Sequence, residues 1–228
     1  LKESHPLARG TVAVALGLST SLLLVNFFYR WQPLELSILN SLLVQLLAGA
    51  LLTGYRYWRP TPDSQEPGWS PSRWVWPVLL LIYLFTASQQ IINPDDDYWI
   101  HTPLQGLMVH GNFPPFNPFF SDIPMNGHYG RNLSIITVAW LSGWDIFWCQ
   151  HVMTCLVQML TFVLLLLALE HWNNNRLQSL LGTALIYFGI NAGGRGGLMD
   201  TLQNNNAYVH LYFALLLYLW VKLLRENS

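Results

Sequence analysis

Apolar residues in this chain gather into long blocks, and the blocks set the first expectation. A bilayer core takes about 20 apolar residues per helix. Six segments answer that description: Thr11–Tyr29, Leu34–Tyr55, Trp74–Ile92, Ile146–Leu169, Leu177–Asn191 and Ala207–Leu224. Leu34–Tyr55 carries Glu35, Asn40 and Gln45 in its first half, and Leu177–Asn191 is short. Tyr29, Trp31, Tyr55, Trp58, Trp74, Trp172 and Trp220 stand near segment ends, where an aromatic belt would place them. Thr11–Phe28 lies behind Lys2 and Arg9 as a signal-peptide core would, but it is long for one and no small-x-small site follows. A retained span is expected there.

The polar positions between the blocks orient them. With six spans, Lys2, Arg9, Arg56, Arg59, Arg73, Arg176, Lys222 and Arg225 fall on one side and Arg30, Arg131 and Arg195 on the other. By the positive-inside rule the first side, with the N-terminus, is cytoplasmic. The loops 93–145 and 192–206 then face outward together. The segment Leu133–Trp144 is apolar but about half a span long, and Ser142-Gly143-Trp144-Asp145 breaks it before the next block. It is expected to lie in the interface or dip into the membrane. Residues 56–73 hold four prolines and little apolar periodicity, so they form a cytoplasmic linker between a two-helix unit, 1–55, and a core, 74–228. No internal repeat is visible, which removes support for an inverted-repeat transporter. The fold class expected is all-α: a polytopic transmembrane bundle of about six spans with a long extracytoplasmic loop after the third.

Composition agrees and narrows the partners. The chain is 52% apolar and only 10% charged, against about 25% charged in an average soluble domain. With 11 basic and 12 acidic residues there is no basic field to attract nucleic acid. Membrane lipids are the expected surroundings, and oligomeric state is not legible. Cys149 and Cys155 share one apolar run and offer neither a disulfide framework nor a zinc site. A chain starting at Leu1 is expected of a fragment.

Chemistry concentrates in residues 93–131. Asn93-Pro94 reads as a helix start, with Asp95, Asp96 and Asp97 in its first turn. Carboxylates there complement the helix dipole, which accounts for one or two. Three in succession repel one another, and such a cluster at a membrane face suits a base or a cation site. His101, four residues after Asp97, would share its helix face and either orient there or help bind a divalent cation with the aspartates. The Pro-dense stretch Gly111–Phe120 excludes regular structure and predicts a rigid extended lid with buried aromatics, either a packed connector or a substrate lid. His128-Tyr129-Gly130-Arg131 sets an imidazole, a phenol and a cation in a glycine-flanked turn suited to a sugar or phosphate, or to a plain interface anchor. The glycine-rich loop around Arg195 has the composition of an anion-binding loop without Walker spacing, or of a flexible connector. In the fourth block His151, Thr154, Cys155, Gln158 and Thr161 share one helix face, which predicts helix–helix hydrogen bonding ahead of a substrate cavity.

The acidic residues after a span, the Gly111–Pro118 loop, the His128-Tyr129-Gly130 turn, the half-span and the long span that follows resemble the GT-C superfamily of membrane glycosyltransferases over roughly residues 74–225. The resemblance implies a lipid-linked sugar donor on polyprenyl phosphate and transfer to an acceptor hydroxyl at the outer face of the cytoplasmic membrane. It implies that Asp95 or Asp96 is the catalytic base, supported by Asp97 and His101. It implies that the donor phosphate is held by Arg131 or Arg195, near His128 and Tyr129. Some members use a divalent metal (Mg or Mn), for which Asp95, Asp96 and His101 are the matching ligands. Family members usually have more than six spans, so the chain corresponds to an N-terminal half, with residues before 56 as an addition.

Overall fold

The computed structural model describes residues 6–58, 73–92, 101–120, 122–123, 129–173, 175–189 and 206–226. Among these residues every regular element is a helix: α1 (Pro6–Phe28), α2 (Leu34–Trp58), α3 (Val75–Ile92), α4 (Thr102–Val109), α5 (Gly130–Ser142), α6 (Ile146–Asn173), α7 (Arg176–Phe188) and α8 (Asn206–Glu226). Pro6 opens α1 and Pro33 precedes α2, placing prolines where a helix start tolerates a missing N–H. Asn175 caps α7, its Oδ1 accepting from the amides of Leu177 at 3.1 Å and Gln178 at 3.2 Å.

Four of these helices are long and apolar enough to cross a membrane: Pro6–Phe28, Leu34–Tyr55, Ile146–Asn173 and Tyr208–Arg225. Val75–Ser88 in α3 is a shorter apolar stretch. The described part of α7 has 13 residues, about 20 Å against a core of about 30 Å. The chain leaves it at Gly189, whose backbone is extended. The described span is therefore shorter than the block Leu177–Asn191.

The bundle is built around α6. In its most apolar window 78% of residues are buried, against 22%, 17% and 33% in α1, α2 and α8. The most extensive interface joins α6 to α8. Arg225 Nη2 donates to the Trp172 carbonyl at 2.9 Å, so both helices end together and run in the same direction. α3 lays Val75, Leu79, Ile82 and Thr86 against the core, a repeat of four, three and four residues that keeps one helix face inward. α1 turns Ala8, Thr11, Val12 and Ala15 inward, and such small side chains let helices approach closely in lipid. Leu46, Leu47, Leu51 and Leu52 of α2 are exposed, as a lipid-facing surface requires.

The half-span is a helix, and its 13 residues agree with a segment too short to cross. It does not lie along a surface. Arg131 to Thr137 are all buried, packed among α1, α4 and α6. The reason is polarity: Asn132, Ser134 and Thr137 cannot face lipid, so this half of the helix sinks into protein. Only its end, from Trp140 to Trp144, is exposed. Gly143 stops it in the left-handed conformation (φ 69°), donating to the Ala139 carbonyl at 2.9 Å.

A Cβ at Gly143 would meet nothing within 4 Å, so replacing it tests backbone conformation alone. Gly143→Ala is expected to lower stability by about 1–2 kcal/mol, read as a lower melting midpoint in detergent. Gly49→Ala, in the interior of α2 with equally open space, should be neutral or stabilising. Equal midpoints for Gly143→Ala and the unaltered protein would contradict the left-handed cap.

Candidate functional site

The described polar centre of the protein lies where α4, α5 and α6 meet. α4 starts at Thr102-Pro103 and follows His101, which has helical backbone angles and makes no side-chain cap. The helix buries Leu104, Gln105 and Met108. Gln105 is wholly buried, and its amide nitrogen uses both hydrogens: one goes to Asn132 Oδ1 at 3.0 Å and one to Gln150 Oε1 at 2.9 Å. The Asn132 amide nitrogen lies 3.1 Å from His101 Nδ1. Three amides and an imidazole thus form a continuous buried network across three helices. Gln105 Oε1 has no partner among the described residues. A buried acceptor of that kind calls for a donor such as water or a hydroxyl.

Arg131 stands next to Asn132, in the first turn of α5, and only 4% of it is exposed. A guanidinium buried at a helix N-terminus is opposed by the dipole. Side chain and helix end thus lie together at this buried point of the bundle. Phe113 seals this end: its ring stacks on Tyr29 at 4.3 Å and meets the Tyr129 ring edge-on at 5.3 Å. The Tyr29 hydroxyl donates to the Met108 carbonyl.

Of the residues expected from sequence, His101, Tyr129 and Arg131 are described. The structure places His101 in the network and Arg131 one residue from it, while Tyr129 packs in the aromatic clasp. Asp95, Asp96, Asp97, His128 and Arg195 lie outside the described residues, as does the expected helix start at Asn93-Pro94. Of the expected metal set only His101 is described, and no group of three or more His, Cys, Asp or Glu able to hold a metal occurs among the described residues. The aromatic residues of the Pro-dense stretch are not all buried as expected. Phe113 is packed and Pro115 is buried, but Phe116, Phe119 and Phe120 are exposed.

On the polar face of α6, Gln158 makes a bond to another helix and the two threonines bond within α6. Tyr187 donates from α7 to the Gln158 main-chain carbonyl at 2.9 Å and contacts its side-chain Oε1. Thr154 and Thr161 bond back to the carbonyls of Gln150 and Val157, each at 2.8 Å. Gln105, Asn132 and Gln150 are absent from the sequence-level site. Their signal is nonetheless present: a primary amide in an otherwise apolar helix must find a partner inside the protein. Gln150 stands four residues before Thr154 and eight before Gln158, at the edge of that face. No family model, curated protein or solved structure matches the chain, so the functional argument rests on the buried meeting point of α4, α5 and α6.

Proposed function

We propose that this protein is a membrane glycosyltransferase of the GT-C kind, taking a sugar from a polyprenyl-phosphate donor to an acceptor hydroxyl at the outer face of the cytoplasmic membrane. The observation that carries the reading is buried Arg131 at the N-terminus of α5, next in sequence to Asn132, whose amide contacts His101. Cation and helix end both favour an anion, and a lipid-linked phosphate is an anion delivered from within the membrane. The aspartates 95–97 precede His101 by only a few residues.

In this reading Asp95 or Asp96 removes the proton from the acceptor hydroxyl. The oxygen forms the new bond to the anomeric carbon as the bond from that carbon to the phosphate oxygen breaks. The phosphate leaves with the electron pair, and Arg131, with Arg195 from the second outer loop, balances its charge. Asp97 supports the site, and His128 and Tyr129 flank the donor. Six spans with a cytoplasmic N-terminus put the two outer loops on one face, supported by the eight-to-three division of Lys and Arg. A non-enzymatic polytopic membrane protein, a transporter fragment or a structural subunit, is the second reading. It is favoured by two clefts, of about 220 Å³ and about 300 Å³, that lie among other residues than these.

Replacing the base by its amide keeps shape and removes ionisation. Asp95→Asn or Asp96→Asn is expected to lower sugar transfer by about 10²–10⁴-fold with the melting midpoint nearly unchanged, while Asp97→Asn costs less activity. Full transfer by both Asp95→Asn and Asp96→Asn would refute the assignment and favour the second reading.

Topology has its own test. Cys149 and Cys155 are buried, so cysteines placed at Asn112 and Gly194 should dominate labelling by a membrane-impermeant maleimide. Both are expected to react from the outer side. Reaction from opposite sides would rule out the six-span arrangement.

A further inference from the structure

α5 is a half-span set beside full-length helices, and the mismatch leaves a space. The helix packs on α1 and has no comparable contact with α2. Between α2 and α5 lies a cleft of about 220 Å³, floored by Gly17 and Ser21 of α1. Leu42 and Gln45 belong to its α2 wall, and Ser134, Thr137, Val138 and Leu141 to its α5 wall. No charged residue lines it among the described residues.

The polar groups of the walls are spent inside their own helices. Ser134 Oγ donates to the Gly130 carbonyl at 3.2 Å, and Thr137 Oγ1 to the Leu133 carbonyl at 2.7 Å. Gln45 Nε2 turns back to Ser41, reaching its carbonyl at 3.3 Å and its hydroxyl at 3.2 Å. A trapped water needs two to four polar partners, and these donors are already engaged. Left empty, the cleft would forfeit the dispersion contacts of its lining. Its α2 wall is continuous with a lipid-facing surface, since Leu43, Leu46 and Leu47 beside it are exposed. Both α1 and α2 are long and apolar enough to span, so the medium at the mouth of the cleft is hydrocarbon.

We propose that the cleft between α2 and α5 seats one hydrocarbon chain of a bilayer phospholipid, which enters sideways from the membrane. The chain takes the place that a full-length helix would fill if α5 crossed. Ser and Thr hydroxyls bonded back to helix carbonyls are already satisfied, so Ser134 and Thr137 accept an apolar neighbour without loss. Gly17 and Ser21, four residues apart, share one face of α1 and keep the floor low. Small residues at Ala8 and Ala15 of the same helix make room for other helices; here they make room for lipid. The inference does not rest on sugar transfer, and it assigns a surface which that reading leaves unused.

The test is photolabelling of the full chain in nanodiscs of phosphatidylcholine, a fraction of which carries a diazirine in the middle of one acyl chain. Adducts are mapped by peptide mass spectrometry. Exposed Leu51 and Leu52 report ordinary bilayer contact, whereas Ser134 and Thr137 are buried and are reached only through the cleft. The unaltered protein is expected to carry adducts at both places. A Cβ at Gly17 would meet nothing within 4 Å, so Gly17→Phe should plug the cleft, with loss of adducts at Ser134 and Thr137 and retention at Leu51 and Leu52. Ser21→Leu is a second plug, for use if Gly17→Phe does not fold. Gly10→Phe, on the same helix with equally open space but outside the cleft, should change nothing. Labelling at Leu51 and Leu52 with none at Ser134 or Thr137 would overturn the proposal. So would adducts that persist through both plugs. A disulfide between two copies carrying Leu141→Cys, with Ser134 and Thr137 unlabelled, would show that a second copy fills the cleft and would overturn it too. The map of the unaltered protein decides even where neither plug folds.

Discussion

Lipid offers no hydrogen bonds, so a polar side chain inside a membrane protein must be satisfied by another part of that protein. In this chain the demand falls on a few amides. Gln105, Asn132 and Gln150 are buried in the bundle, and each would be costly alone. Bonded to one another, they bind a short helix, a half-span and the central helix together, with His101 at the end of the series. The position of Arg131 follows, since it is the neighbour of Asn132 in the first turn of α5. The aromatic clasp of Tyr29, Phe113 and Tyr129 closes over the same region.

The rest of the architecture serves α6. A helix of 28 residues is about 42 Å long, enough to cross a bilayer and project beyond it. Its neighbours divide its surface: α8 runs alongside it, α3 covers one face, and α7 is pinned by Tyr187 to Gln158. Along its length Gln158 meets Tyr187 of α7, and Thr154 and Thr161 bond back within α6 itself. Gln150, near its start, instead faces α4. A site at this end is held by a rigid element, while the opposite end, with Arg176, Lys222 and Arg225, is basic and anchored by Arg225 to Trp172.

Much of the fold was legible because its signals are one-dimensional. All six long blocks became helices within a few residues, and Pro6, Pro33, Gly143 and Asn175 mark ends by their own chemistry. The half-span was legible in length but not in depth, since sinking Arg131 to Thr137 depends on partners far away in sequence. The site was legible in its charged members and not in its amides. His101 draws attention by its type, but its contact is with Asn132, 31 residues on, and through it with Gln105 and Gln150. A periodicity argument confined to one helix cannot pair residues across three. The exposed Phe119 and Phe120 likewise depart from the burial expected of the aromatic residues in that stretch.

The central claim is that the amide network couples α4 to α6 and so holds the site. A double-mutant cycle on Gln105→Leu and Gln150→Leu, read as melting free energy in detergent, tests it most directly. Each single change strands a buried polar partner, at about 1–3 kcal/mol. The double change removes donor and acceptor together and is expected to cost less than the sum, by about 0.5–3 kcal/mol. Strict additivity of the two substitutions would contradict the network on which the site is built.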